Sequence, residues 1–294
     1  MANHAADRSL LAVARDTVAA QGKVVELTRK RLNGEIAPRT DLRQAELTLH
    51  TAEADVAVQT TAVAQDVNAL QLLVGAPIDS ALLSPSIGDA ATRLADIPAA
   101  LDSTILLRRP DVVEAEYNLR AAHGDIGAAR AELYPRISLT GLLGLASSAL
   151  GALFSGGAFA WSGGTGLTYP IFRAGTAKAN VALTQAQRDA LLATYRKAIQ
   201  SAFRDVADAL ARRGTIDAQR AAVAANQAAA ADNAHLADLR FRGGIDSYLT
   251  SLTAQQALYA ARRALVAVEL ARAINRAQIY RALGADALLV SVPR

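Results

Sequence analysis

Along most of this chain the apolar residues return every three or four positions, the spacing of one helix face. Such a run covers about residues 9–32, stops at Asn33 and Gly34, and resumes near Thr40 and Asp41, side chains able to cap a helix start. Leu42, Ala45, Leu49, Ala52, Val56, Val63, Leu70 and Leu73 then keep heptad spacing, with Gln59 and Asp66 as polar interruptions, until Gly75 and Pro77 end the run. Segment 76–110 is punctuated by Pro77, Pro85, Pro98 and Pro110 and predicts a connector with small helices. Pro110 suits a first helical turn, and Asp111 and Glu114 suit its dipole, so a helix is predicted from there to about Leu133, stopped by Pro135. A third long run spans about 176–241, interrupted in pattern only by Gly214; at ~1.5 Å per residue it would extend about 100 Å. Arg242, Gly243 and Gly244 turn the chain, and a fourth run covers about 247–283, ended by Gly284.

One stretch breaks this pattern. Residues 137–172, flanked by Arg136 and Arg173, contain no charged side chain, and nine of the nineteen glycines fall between Gly141 and Gly175, together with the only Trp. Ile137, Leu139, Leu143 and Leu145 alternate with Ser138, Thr140, Gly144 and Ala146. Phe159, Trp161, Leu167, Tyr169 and Ile171 share a side against Ser162, Gly164, Gly166 and Thr168. Period two, with an apolar face and a small polar face, predicts a transmembrane β-hairpin with lipid on one side and water on the other. Trp161 and Tyr169 would lie about 26 Å apart at ~3.3 Å per residue, suited to aromatic anchors at two membrane interfaces. Pattern alone leaves two alternatives open. Residues 137–154 are about long enough to cross a bilayer as one helix, although glycines weaken it, and a soluble Gly-rich loop or core hairpin would also alternate.

The chain also repeats itself. RLNGEI at 31–36 matches RFRGGI at 240–245, a separation of 209 residues from Gly34 to Gly243. The same offset pairs Leu27 with Leu236, Ala45 with Ala254, Glu46 with Gln255, Ala62 with Ala271 and Gly75 with Gly284. The punctuating glycines coincide without a gap, which predicts a duplicated helix–turn–helix unit. Two equivalent hairpins suit a ring-shaped assembly; a plain antiparallel coiled-coil spacer would show them as well.

Composition removes whole classes of chemistry. Hydrophobics are 52% but aromatics only 4%, so Ala and Leu supply the apolar content, which suits close helix packing better than a thick core. With zero Cys there is no disulfide framework, thiol nucleophile or thiolate metal site. The net charge is only +4 and the Arg residues are dispersed among acids, so no nucleic-acid partner is expected. His4, His50, His123 and His235 are scattered without metal-ligand spacing, and Gly163, Gly164 and Gly166 are not followed by a helix start carrying a further glycine. No metalloprotease, phosphate-loop or nucleophile-elbow motif occurs. No catalytic residue, cofactor, metal or enzymatic activity is therefore expected. Met1 is followed by ANHAADRSL, which lacks the basic-then-apolar order of a secretory signal.

LRRPDVVEAE at 107–116, IGAARA at 126–131 and YPRISL at 134–139 resemble the signature of TolC/OprM-type outer-membrane factors of the NodT type, the outer membrane efflux protein family. DLRQAE at 41–46 and AIQSAFRDVAD at 198–208 are similar to further stretches of that family, so the likeness covers nearly the whole chain in order. It implies a mainly α fold with one β-hairpin: long antiparallel helical hairpins forming an α-barrel segment, plus part of a transmembrane β-barrel. In that frame 1–75 is a first periplasmic helical hairpin, 76–110 an equatorial connector and 111–135 a helix leading to the barrel. Residues 136–172 are the transmembrane β-hairpin, 173–284 the second periplasmic hairpin and 285–294 a C-terminal tail.

The implied function is the outer-membrane exit duct of a tripartite RND-type efflux pump, passive and trimeric. Its partners would be two further copies, outer-membrane lipid, a periplasmic adaptor (membrane fusion) protein and an inner-membrane pump. The adaptor would engage the tips at Gly34, Ile36, Gly243, Gly244 and Ile245. A tunnel constriction would involve Asp246, Leu249, Thr250 and Thr253, where relatives often carry rings of Asp at the positions of Thr250 and Thr253. Three hydroxyls carry no net charge, so such a constriction would bind cations less strongly than a carboxylate ring. Family members begin with an export signal, often a lipid-carrying Cys, and a first β-hairpin, none of which precedes Ser9 here. The expectation is a truncated product: a trimer with one hairpin per copy supplies six strands, fewer than the roughly eight whose barrel interior side chains already fill. A periplasmic coiled-coil adaptor or structural protein is the alternative; it should carry soluble β-domains with charged outer faces, which this sequence does not show.

Overall fold

In the computed structural model, which describes residues 1–92, 103–154 and 156–284, the periodic runs are helices. They are α1 (Ala2–Asn33), α2 (Arg39–Val74), α3 (Ile87–Thr92), α4 (Pro110–Ala131), α5 (Thr176–Arg242) and α6 (Tyr248–Ala282). Strands β1 (Arg136–Leu145) and β2 (Phe159–Thr168) follow α4, giving the mainly α architecture with one β-hairpin. The chain divides into two compact units, Met1–Asp102 with Arg204–Arg294, and Ser103–Phe203.

Several boundaries depart from the sequence pattern, each for a local reason. The first helix begins at Ala2 rather than near Ser9, because Ala5 and Ala6 are buried against Val266 and Ala273 of α6, and alanines leave little apolar period to read. Pro38, not Thr40 or Asp41, stands at the N-cap of α2; its extended backbone (φ −72°, ψ 154°) presets the entry, and no side chain caps the helix. Gly214 lies inside α5 without breaking it, since an interior glycine costs only roughly 1 kcal/mol. The fourth helix stops at Ala131, before Pro135, which bars helical geometry for the residue that precedes it. The connector holds α3 and two short 3₁₀ turns, Ser80–Leu82 and Ser103–Arg108. The rest of the connector, 93–102, and the predicted tail lie outside the described residues.

The first unit is held by small side chains along its helix seams. Ala14, Thr28, Ala45 and Ala52 are all buried, and α1 packs on α2 and on α6. The α3 turn sits on both α1 and α6 through Ala5, Ala6, Ile87, Val266 and Ala273, and the Ile87 N–H donates to Ser9 Oγ at 3.0 Å. Polar residues occupy some inner levels, and most are satisfied across helices. Gln21 Nε2 donates to Gln255 Oε1 at 2.7 Å, and the Tyr259 hydroxyl donates to Asp55 Oδ2 at 2.6 Å. Burial, and then that bond to Asp55, push the Tyr259 phenol up to about 12. Asn275, 2% exposed, donates its amide to the Ala209 carbonyl at 3.0 Å, while Glu269 pairs with Arg220, and Asp217 with Arg272. On α2 the heptad positions Leu42, Ala45 and Ala52 are buried, but Leu73 is 82% exposed. Gln59 and Asp66 still face inward, each with a buried side-chain oxygen.

In the second unit Pro110 opens α4 as expected, and Arg109, itself buried, grips Asp111 with two hydrogen bonds of 3.0 and 2.7 Å. Val112, Ala115, Ala122, Ile126 and Ala129 form the buried face of α4. The strands pair antiparallel, with Arg136 opposite Thr168 and Leu145 opposite Phe159. The register excludes a single membrane-crossing helix over 137–154, and no helix among the described residues is long and apolar enough to cross a membrane.

Truncating Asn275 to alanine leaves the second bond to the Ala209 carbonyl unmade in a buried seam. Denaturant unfolding in detergent should show a loss of about 1–3 kcal/mol.

Candidate functional site

The two helical hairpins end in turns of the same construction. In the first, the Ile36 N–H donates to the Arg31 carbonyl at 2.9 Å and the Glu35 N–H to the Leu32 carbonyl at 3.0 Å. In the second, Ile245 donates to Arg240 at 2.9 Å and Gly244 to Phe241 at 3.1 Å. This paired-bond closure satisfies helix-end carbonyls and requires a left-handed residue at its second-last position. The residue is Glu35 (φ 58°) in one turn and Gly244 (φ 73°) in the other, which the 209-residue offset places in register. Gly34 has φ −88°, so the glycine read from sequence as the pivot of the first turn is the cap, and the left-handed step falls one residue later. Gly75 and Gly284, also equivalent, close α2 and α6 with the same φ of 75°.

The turns lie side by side. Arg31 stacks its guanidinium over the Phe241 ring, 4.4 Å from the centroid, and donates to the Arg242 carbonyl at 3.1 Å and to the Phe241 carbonyl at 3.3 Å. It thereby supplies cationic partners to the open carbonyls at the end of α5. Beneath it Val25, Leu42, Ala45, Phe241, Tyr248 and Leu252 form one core cluster. The Phe241 and Tyr248 rings meet at 5.4 Å in a tilted arrangement. Burial, with the nearby Asp41 charge, pushes the Tyr248 phenol up to about 12, so it stays protonated. Arg240, the counterpart of Arg31, is used differently: it binds Asp246 of its own turn at 2.6 and 3.0 Å. That hydrogen-bonded guanidinium holds the Asp246 carboxyl below its ordinary value.

Ile36 and Ile245 stand 77% and 67% exposed on the two tips, each with Cδ1 against the cap glycine before it. Leu249 is 67% exposed on the first turn of α6, and Thr250 and Thr253 are exposed near it. Thr253 donates its hydroxyl to the Leu249 carbonyl at 2.9 Å, leaving its oxygen as an acceptor. The structure thus gathers the tip residues and the three constriction candidates in one unit, and gives Asp246 a bracing partner. Sequence reasoning missed Arg31, although an arginine opens both copies of the repeated motif. It also missed Phe241 and Tyr248, whose role depends on the opposite hairpin.

In the other unit, strand register decides the character of the hairpin. Ile137 lies opposite Leu167, Leu143 opposite Trp161 and Leu145 opposite Phe159, so both apolar sets fall on one face. The other face carries Ser138, Thr140, Gly144, Ala160, Ser162, Gly164, Gly166 and Thr168, with Leu142 and the terminal Arg136 as its large side chains. A one-residue slip would have mixed the faces. A side chain on Gly166 would meet Ser138 Oγ, while a Cβ on Gly144 or Gly164 would meet nothing within 4 Å. All residues of both strands are exposed, Leu139 at 82% and Trp161 at 73%. Tyr169 lies one position beyond β2 and is 55% exposed. Among the described residues no group of three acidic or histidine side chains could hold a metal ion.

The fold thus combines duplicated helical hairpins with one strand pair whose apolar and aromatic side chains are exposed. The model of the outer membrane efflux protein family matches residues 101–285, and this chain belongs to that family. It is 44% identical over 250 residues to the solvent efflux pump outer membrane protein SrpC of Pseudomonas putida, over 83% of this chain and 52% of that one. It is 41% identical over 283 residues to the antibiotic efflux pump outer membrane protein ArpC of Pseudomonas putida, over 95% and 57% respectively. A crystal structure of a membrane protein from Pseudomonas aeruginosa matches with a TM-score of 0.82 at 34% identity, over 96% of this chain and 66% of that one. The chain spans about half the length of the curated relatives it matches.

Replacing Glu35 by glycine should raise stability by roughly 0.5–1 kcal/mol. That is the balance between a left-handed penalty of about 1–2 kcal/mol and the added entropy of an unfolded glycine. Thermal unfolding of the purified chain measures it.

Proposed function

We propose that this chain forms part of the outer-membrane channel of a tripartite RND-type efflux pump, a passive duct through which small molecules leave the cell. The observation that carries the proposal is the register of β1 and β2, which gathers Ile137, Leu139, Leu143, Leu145, Phe159, Trp161 and Leu167 on one exposed face of a strand pair without a charged side chain between Arg136 and Arg173. An exposed two-stranded sheet is marginal in water and needs further strands and lipid to complete it. Copies of the same chain, as a trimer, would supply six of the strands of a shared barrel, with Trp161 and Tyr169 at its two interfaces. The helical hairpins 1–75 and 173–284 would line a periplasmic tube, with 76–110 as its belt. Family membership favours this duct over a periplasmic adaptor. The cargo we assign is the class named by the relatives, organic solvents and antibiotics.

The tips at Gly34, Ile36, Gly243, Gly244 and Ile245 are assigned to the adaptor protein, with the two isoleucines as the apolar contacts. The inner-membrane pump supplies the energy, and the duct itself performs no catalysis. Leu249, Thr250 and Thr253 are assigned to the constriction. Asp246, held by Arg240, braces the turn there more than it contacts passing cations.

Two substitutions test the membrane assignment. Leu139→Lys, midway between the aromatic anchors on the apolar face, should cost about 2–4 kcal/mol of stability in lipid bilayers, whereas Thr140→Lys on the small face should be close to neutral. Equal costs would remove the lipid-facing assignment. For the constriction, Thr253→Asp in reconstituted channels should strengthen block by divalent cations; unchanged block would make these ordinary surface positions.

A further inference from the structure

Because the two hairpins are internal copies, a position at which they differ marks something the fold itself does not require. Asn275 in α6 donates its amide to the Ala209 carbonyl, and Ile216 of α5 is 2% exposed. The 209-residue offset places Asp66 in α2 at the position of Asn275 and Asp7 in α1 at that of Ile216. Where one hairpin has an amide and an aliphatic side chain, the other therefore has two carboxyl groups. They face each other within hydrogen-bonding reach, and Asp66 Oδ2 is buried with no partner atom. Ionised carboxylates only accept hydrogen bonds, so the two can bond only while one of them holds a proton. Side by side and ionised, they repel.

No cation offsets the pair. Among the described residues, neither Asp7 nor Asp66 forms an ion pair with a basic group. On α1, His4 lies 3% exposed beside Asp66; burial, and then the Arg8 charge, hold its imidazole below its ordinary value, so it is neutral at neutral pH. Arg8 and the Met1 amino group act on His4, and Arg15 lies further along the same groove, which Val63 and Val67 of α2 line from the other side. On α6, Glu269 and Arg272 are taken up by Arg220 and Asp217 of α5. On α3, Asp89 is bonded to Ser86.

We propose that Asp7 and Asp66 act as a proton-sharing latch that holds α1 against α2 in acid and loosens that seam as the pair ionises. The loosening reaches further than the pair. Ala5 and Ala6, next to Asp7, anchor α3 and α6, so the belt around Ile87 is coupled to the protonation state. The direction follows from the chemistry. Burial first, then the charge and hydrogen bond of Asp66, raise the Asp7 carboxyl above its ordinary value. A raised acid contributes stability that is fully present below the ordinary aspartate value near ~3.9 and is lost as pH rises through the raised one. His4, lowered by burial, and Asp111 and Asp246, both lowered by arginine partners, contribute in the opposite sense and lose their part in acid.

The test is amide hydrogen exchange of the full chain in detergent, from about pH 4 to about pH 8, with rates corrected for the intrinsic pH effect. In the wild type, protection of residues 2–14 should fall about tenfold with rising pH, while the matching segment 211–223 of the other hairpin stays level. Asp66→Asn installs the residue used by the second hairpin and should abolish that fall in residues 2–14; Asp7→Asn should do the same. Variants that keep the wild-type pH dependence, or a wild type in which residues 2–14 follow 211–223, would overturn the proposal. The wild-type comparison of the two segments stands even if a variant does not fold.

Discussion

The helical part of this protein depends on how closely its rods can approach. Its seams are made of alanine and threonine, with Ala5, Thr28 and Ala45 each 0% exposed. Small side chains let helix axes come near the lower end of the usual ~8–10 Å spacing. The cost is that each contributes little apolar area, on the order of 0.8 kcal/mol per buried methylene or methyl equivalent. Stability must then be spread along the length of the helices rather than concentrated in one core. That is why inner levels can hold Gln21, Asp55 and Asn275, provided a partner helix offers the matching group.

The same closeness explains the tips. Rods this near each other must reverse within a few residues, and helix-end carbonyls there need donors. Both turns use the same pair of backbone bonds, and the leftover carbonyls of α5 are met by Arg31 from the neighbouring hairpin. Duplication provided an arginine at the start of both turns, but the copies have diverged in its use. Arg240 found a carboxylate, Asp246, where the first turn has Ala37. One arginine therefore stiffens its own turn, and the other joins two turns together.

The strand pair obeys a different solvent. In water, the apolar and aromatic side chains exposed on the strands and their flanks would drive aggregation; in a bilayer an apolar outer face is the requirement. Glycines opposite Ser138 and Thr140 keep the other face small and free of large apolar groups.

Much of this was legible without coordinates. Helical period, the glycine stops at Gly75 and Gly284, the duplication and the period-two alternation of 137–172 are all local properties, and local backbone preference decides them. Family resemblance was legible as well, because its motifs lie in contiguous runs. Three things were not. The start of α1 depended on alanines meeting α6, and a residue with one methyl carries no visible pattern. The left-handed step at Glu35 was hidden because glutamate is not a turn residue; the surrounding hydrogen bonds impose it. The pairing of Arg31 with α5, and of Asp7 with Asp66, required knowing which helices are neighbours. Sequence determines the periods and where they stop; only the tertiary structure decides which polar groups meet, because a partner at 59 or 210 residues' distance exerts no local preference on the chain.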